Sequence, residues 1–168
     1  VGGFSGWNAP AGTPSRKISS ALAAGCTLVI KAAEETPASA LFLAHALDDA
    51  GLPKGVLNMV FGNPAETSRR IVESPITRAI TFTGSTAIGR QIAVMAAPGF
   101  KRTILELGGH APVLVFDDAD IQHAATTITQ AKFRNAGQIC TSPTRIIAHE
   151  SIVAALGEAI AQQARSLK

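Results

Sequence analysis

Ala79-Ile80-Thr81-Phe82-Thr83-Gly84-Ser85-Thr86-Ala87-Ile88-Gly89 is the stretch whose reading decides the fold. A run of β-branched and aromatic residues stops at a small-residue turn. A helix then opens with Ile88, Ile92 and Met95 on one face. The same grammar repeats on either side. Strand-like runs are expected at 27–31, 57–61, 79–83, 103–107, 113–116 and 145–148. Helical stripes are expected at Ala40, Leu43, Ala44, Leu47, at Ile121, Ala124, Ala125, Ile128, and at Ile152, Ala155, Leu156, Ala159, Ile160. Pro10, Pro14 and Pro37 are placed in first helical turns, and Thr36 is a candidate N-cap. Strands alternating with helices of this length predict an α/β fold: a Rossmann-like, largely parallel sheet with helices on both faces. In such sheets ligands bind beyond the carboxyl ends of the strands, so the residues that follow each strand come first.

Composition narrows the rest. Only 16% of the 168 residues are charged and 5% are aromatic, which excludes a disordered polyelectrolyte and fits a sheet covered on both faces or a surface that meets more protein. The 15 basic and 12 acidic residues are scattered, with Arg69-Arg70 the densest basic pair, so a nucleic-acid groove is not expected. The longest apolar stretch, 21–30, is too short for a bilayer, and no membrane segment or signal peptide is expected. Cys26 and Cys140 lie far apart without metal-ligand spacing. No metal site is expected, and two sparse thiols fit a reducing, cytoplasmic setting. The chain opens on Val1, as a trimmed or internal piece would.

Five places could carry chemistry. The Gly84-Ser85-Thr86 turn offers N–H groups at a helix start, an anion site or an ordinary cap. Lys31 and Glu34 follow a strand; a carboxylate there can take two hydrogen bonds from ribose hydroxyls, or the pair can be a solvated turn. Glu106 stands between Leu105 and Leu107 near Gly108-Gly109. It is either a carboxylate facing burial and suited to general-base work, or the polar face of an edge strand. Cys140, in a Gly-containing turn after a helix, is an exposed activated thiol or a small buried hydrophobe, whereas Cys26 reads as the latter. Asn8 could serve as an oxyanion donor if its amide points into a cleft. His45 and His123 fall on Ala-rich helices and read as surface or packing residues.

The order Trp7-Asn8-x-Pro10, Lys31-x-x-Glu34, Phe82-Thr-Gly-Ser-Thr-x-x-Gly89, Leu105-Glu-Leu-Gly-Gly109 and Gly137-Gln-x-Cys140 resembles the aldehyde dehydrogenase superfamily, with the semialdehyde dehydrogenases closest in pattern. The resemblance runs from Trp7 to Cys140. It implies Cys140 as nucleophile, Glu106 as the base that activates water, and Asn8 with the Cys140 backbone N–H as the oxyanion hole. It further implies Lys31 and Glu34 as adenine-ribose contacts, and Trp7, Gly84, Ser85 and Leu107 as further cofactor contacts. The implied cofactor is NAD, favoured by the glutamate at 34, with NADP also admitted. The implied substrate is a small-molecule aldehyde. Residues 1–107 would be part of the NAD(P)-binding domain and 108–168 the N-terminal part of a second, α/β catalytic domain. Family enzymes are far longer, so the chain reads as a central fragment of a homo-oligomeric parent, inactive when isolated. Gly6 replaces a usual proline, Ala32 another, and His110 a lysine or asparagine; none of these removes a catalytic group. Two other readings remain, a non-catalytic nucleotide-binding fragment and an acylating relative that passes the thioester to coenzyme A or phosphate. Glu106 speaks against the latter.

Overall fold

The computed structural model describes residues 1–167. The chain divides into two compact units, Val1–Gly108 and Gly109–Lys168.

In the first unit five strands form one parallel sheet: β1 (Gly2–Phe4), β2 (Leu28–Lys31), β3 (Leu57–Val60), β4 (Ala79–Thr83) and β5 (Arg102–Glu106). Their order is β3-β2-β1-β4-β5. Helices α1 (Gly12–Ala23), α2 (Pro37–Asp49), α3 (Pro64–Glu73) and α4 (Thr86–Ala96) alternate with them. Side chains alternate across each strand, and two cores follow from that period of two. Leu28 and Ile30 pack with Ile18 and Ala21 of α1 and with Leu43 and Leu47 of α2. On the other face Phe4, Ile80 and Phe82 pack with Ile71 and Val72 of α3 and with Ile92 and Ala96 of α4. Helices therefore cover both faces of a parallel sheet, the expected α/β class.

The central strand, β1, was not among the expected strands. It has three residues, two of them glycine, which weakens any strand signal. The glycines are there because there is no room for more. A Cβ at Gly2 would lie 2.6 Å from Ile71 Cγ2, and one at Gly3 would lie 3.2 Å from Ile30 Cγ1. Helix α3 was not foreseen either, because only Ile71 and Val72 are buried along it. Its signal was the start, where Asn63 Oδ1 accepts the Glu66 N–H at 3.1 Å and Pro64 fills the first position. Pro14 and Pro37 do stand in first turns, but Pro10 precedes α1. Thr36 stands at the start of α2 without capping it. Its hydroxyl donates to the Trp7 carbonyl at 3.5 Å.

In the second unit β6 (Val113–Val115) and β7 (Ile146–Ala148) pair in parallel. Helices α5 (Ile121–Phe133) and α6 (Val153–Arg165) bury Ala125, Ile128, Leu156 and Ala159 against Val115. Asp120 starts α5, its carboxylate accepting the His123 N–H at 3.0 Å. No described helix is long and apolar enough to cross a membrane.

Candidate active site

The sheet order fixes where a ligand can sit in the first unit. The chain runs β1, β2, β3 to one side, then returns to place β4 on the other side of β1. This reversal lies between β1 and β4, where Phe4 and Phe82 are register partners. The segments at that edge are Ser5–Asn8 after β1, Lys31 at the end of β2 with Ala32–Glu34 after it, Gly84-Ser85 after β4 and Glu106-Leu107 at the end of β5. The structure thus brings Trp7, Asn8, Lys31, Glu34, Gly84, Ser85, Glu106 and Leu107 to one edge of one sheet. Hydrogen bonds knit the segments: Ser5 N–H to the Lys31 carbonyl at 3.2 Å, and Gly84 N–H to the Glu106 carbonyl at 3.1 Å.

Lys31 and Glu34 form an ion pair, Nζ to Oε1 2.5 Å, with Lys31 almost fully buried. Partial burial alone would raise the Glu34 carboxyl. The hydrogen bond and charge of Lys31, with backbone N–H groups of Glu34 and Gly62, outweigh it and hold the group below the usual carboxylate range. A carboxylate held in its ionised form by a buried lysine offers an acceptor pair for vicinal hydroxyls. Ser85 starts α4, its Oγ accepting the Ile88 N–H at 3.4 Å. Gly84 has no room for a side chain, since a Cβ would lie 2.6 Å from Phe82 Cζ. Gly89, buried in the first turn, is filled by Leu107, whose Cδ2 occupies the space a Cβ would need. Leu107 therefore seats the start of α4 against β5. Trp7 is 46% exposed, a flat apolar surface at the same edge.

Of the two readings open for Glu106, the structure bears out the polar face of an edge strand, β5. Glu106 is exposed. Leu105 and Leu107 point to the α3–α4 face, where they join the core of Phe82 and Ile92, and strand alternation sends Glu106 to the α1 face. Apolar neighbours at i±1 in a strand therefore report on the opposite face and gave no warrant for burial.

What Glu106 does have is a partner that sequence reading missed. Lys17, on α1, is 8% exposed, and its Nζ donates to Thr81 Oγ1 at 2.9 Å. Burial pulls the ammonium down from 10.5 to about 8, against the attraction of Glu106, which acts to raise it. The signal was present in the stripe Pro14, Lys17, Ile18, Ala21, all buried at helical spacing, with a lysine at a core-facing position.

Cys140 lies in the second unit, in the turn between α5 and β7. It is exposed and unpaired, and Cys26, in the first unit, is unpaired and half-buried. Among the described residues, no three His, Cys, Asp or Glu side chains come together as a metal site. His45 and His123 are exposed on α2 and α5.

The aldehyde dehydrogenase family model matches residues 1–168, the whole chain. The chain belongs to the aldehyde dehydrogenase family. It is 49% identical over 152 residues to 4-(hydroxymethyl)benzenesulfonate dehydrogenase of Comamonas testosteroni, covering 90% of this chain and 32% of that protein. It is 44% identical over 161 residues to the NADP(+) succinate-semialdehyde dehydrogenase of Escherichia coli, covering 96% of this chain and 33% of the relative. The crystal structure of succinate-semialdehyde dehydrogenase from Burkholderia pseudomallei superposes with a TM-score of 0.98 at 44% identity, over 100% of this chain and 35% of that one. The chain spans about a third of the length of each relative it matches.

Proposed function

We propose that this chain is the central part of an NAD(P)-dependent aldehyde dehydrogenase that oxidises an aldehyde to a carboxylic acid. Val1–Gly108 supplies part of the nucleotide-binding domain, and the second unit supplies the start of the catalytic domain. The observation that carries the reading is the gathering of Trp7-Asn8, Lys31-Glu34, Gly84-Ser85 and Glu106 on one sheet edge in a chain of this family.

The residues fit a dinucleotide. Lys31 and Glu34 would hold the adenine ribose through its hydroxyls. The open Gly84-Ser85 turn and the start of α4 would take the pyrophosphate, with Trp7 beside it. Glu34 favours NAD, because a carboxylate repels a 2′-phosphate, although the Escherichia coli relative is named for NADP(+). When bound, the nicotinamide supplies a hydride acceptor.

The chemistry then belongs to side chains. The Cys140 thiolate adds to the carbonyl carbon, and the oxyanion that develops takes hydrogen bonds from the Asn8 amide and the Cys140 N–H. Loss of hydride leaves an acyl thioester on Cys140. Glu106, in the electrostatic reach of Lys17, takes a proton from water, whose oxygen attacks the thioester and frees the acid and the thiol. The names of the relatives, one for a semialdehyde with a carboxylate and one for a hydroxymethyl compound with a sulfonate, point first to a substrate with a remote anionic group. The two unpaired thiols favour a cytoplasmic setting, and the full-length parent is taken to be a homo-oligomer.

The test is an assay of the full-length enzyme with NAD, NADP and a panel of ω-carboxy aldehydes. Aldehyde-dependent NADH or NADPH formation that vanishes in Cys140→Ala supports the reading. Unaltered turnover in that variant contradicts it. The 168-residue chain alone should bind dinucleotide weakly and turn nothing over.

A further inference from the structure

Helix α5 ends at Phe133, and the next residues turn sharply left-handed. Asn135, Ala136 and Gly137 have φ of 52°, 54° and 76°, the one consecutive run of positive φ among the described residues. Glycine accepts this freely, but an alanine stays there only when its surroundings over-determine it. The surroundings are visible. The carbonyls of the last turn of α5 have no partners within the helix. One of them, at Lys132, accepts the hydroxyl of Ser142 at 3.0 Å, from ten residues further along. Ser142 is 3% exposed, and its backbone N–H donates to the Ile139 carbonyl at 3.0 Å, which closes a turn around Cys140. Gly137 presses on the same acceptor: a Cβ there would lie 3.2 Å from the Lys132 carbonyl oxygen. Helix end, left-handed turn and cysteine loop therefore converge on one carbonyl. Further along, the Thr144 N–H donates to the His110 carbonyl at 2.9 Å, so Ser142 is the nearer of two anchors to the thiol.

We propose that Ser142 is a positioning residue for Cys140: its hydroxyl, tied to the Lys132 carbonyl, closes the 132–142 loop and holds the cysteine in one orientation for attack on a carbonyl. This rests on the reading of Cys140 as nucleophile. Attack demands a narrow range of distance and angle, so a loop released from its anchor loses rate before it loses binding. A buried serine whose only task was stability would behave differently. Its loss would lower the number of competent sites and leave the rate at each intact site alone.

First-turnover kinetics separate the two. In the full-length enzyme mixed rapidly with NAD and aldehyde, the amplitude of NADH formation counts competent sites and the rate constant reports acylation at each. Ser142→Ala is expected to lower that rate constant about tenfold, with amplitude and NAD affinity within twofold of the parent. Ser142→Thr, which keeps the hydroxyl, is expected to recover most of the rate. Should Ser142→Ala not fold, Gly137→Ala crowds the same carbonyl and should show the same slowed rate. An unchanged rate constant, a loss confined to amplitude, or a threonine variant as slow as the alanine one overturns the proposal. Cys140→Ala is run alongside. If it still gives a first turnover, the nucleophile assignment fails, a result distinct from any that Ser142 variants produce.

Discussion

Replacing Lys17 by methionine should abolish one component of the pH dependence of stability. In the folded chain this ammonium is buried against Thr81 and titrates near pH 8, whereas in the unfolded chain it titrates near 10.5. A lowered lysine pKa means that the unfolded chain binds more protons between those two values, so stability must rise with pH across that window. Below about pH 8 the penalty is present in full; above 10.5 it is gone. The net shift, which already contains the opposing attraction of Glu106, corresponds to about 3 kcal/mol, and partial solvation of the amine tip brings the expected effect to about 1–2 kcal/mol. Methionine keeps most of the stem's volume and removes the charge, at the cost of an unbonded Thr81 hydroxyl, worth ~1 kcal/mol. Trp7 is the chain's one tryptophan and lies in the first unit, so its fluorescence reports the unfolding of that unit. Urea titrations at intervals from pH 7 to 10 should show the parent gaining about 1–2 kcal/mol relative to Lys17→Met. Parallel pH curves, within about 0.3 kcal/mol of each other, would refute a buried, depressed ammonium at this position.

Gly2→Ala should cost about 1–3 kcal/mol in the same assay, because its Cβ meets Ile71 across the central strand and that core cannot move aside cheaply. Iodoacetamide near neutral pH should label exposed Cys140 ahead of half-buried Cys26, with peptide mapping as the readout; preferential label on Cys26 would reverse the assignment. Glu34→Gln should narrow the preference for NAD over NADP by about tenfold, the ~1.4 kcal/mol expected for removing one charge near a phosphate. Calorimetric titration with both dinucleotides decides it.

Much of this was legible in the sequence because parallel α/β units write themselves in alternating periods. The strand at Ala79–Thr83 and the helix faces of α2, α5 and α6 follow from spacing, whereas on α4 the expected Ile88 is exposed and the buried face runs through Gly89, Ile92 and Ala96. What escaped had physical causes. The strand β1 owes its place to what its glycines leave out, and an omitted side chain leaves no hydrophobic pattern. Glu106 leaves burial and an edge-strand polar face equally open in the sequence, because its leucine neighbours look like a buried setting although in a strand they face the other way. Lys17 carries a charge that ordinarily stays outside, yet its helical register puts it inside. The tie from Ser142 to Lys132 spans ten residues and depends on a left-handed turn that no propensity foretells, since an alanine sits in it. Edge residues such as Lys31, Glu34, Gly84 and Ser85 are legible as a set, because each ends or follows a strand, and the sheet order then puts them side by side.

The division of labour between Cys140 and Glu106 is the centre of the proposed mechanism, and Glu106→Gln in the full-length enzyme tests it most directly. Only hydrolysis of the thioester needs the base, so rapid mixing with NAD and aldehyde should give close to one equivalent of NADH per subunit and then stall, with acyl-enzyme trapped on Cys140 and visible by mass spectrometry. If the first turnover vanishes as it does in Cys140→Ala, or if steady turnover continues at the parent's rate, Glu106 is not the water-activating base and the account is wrong.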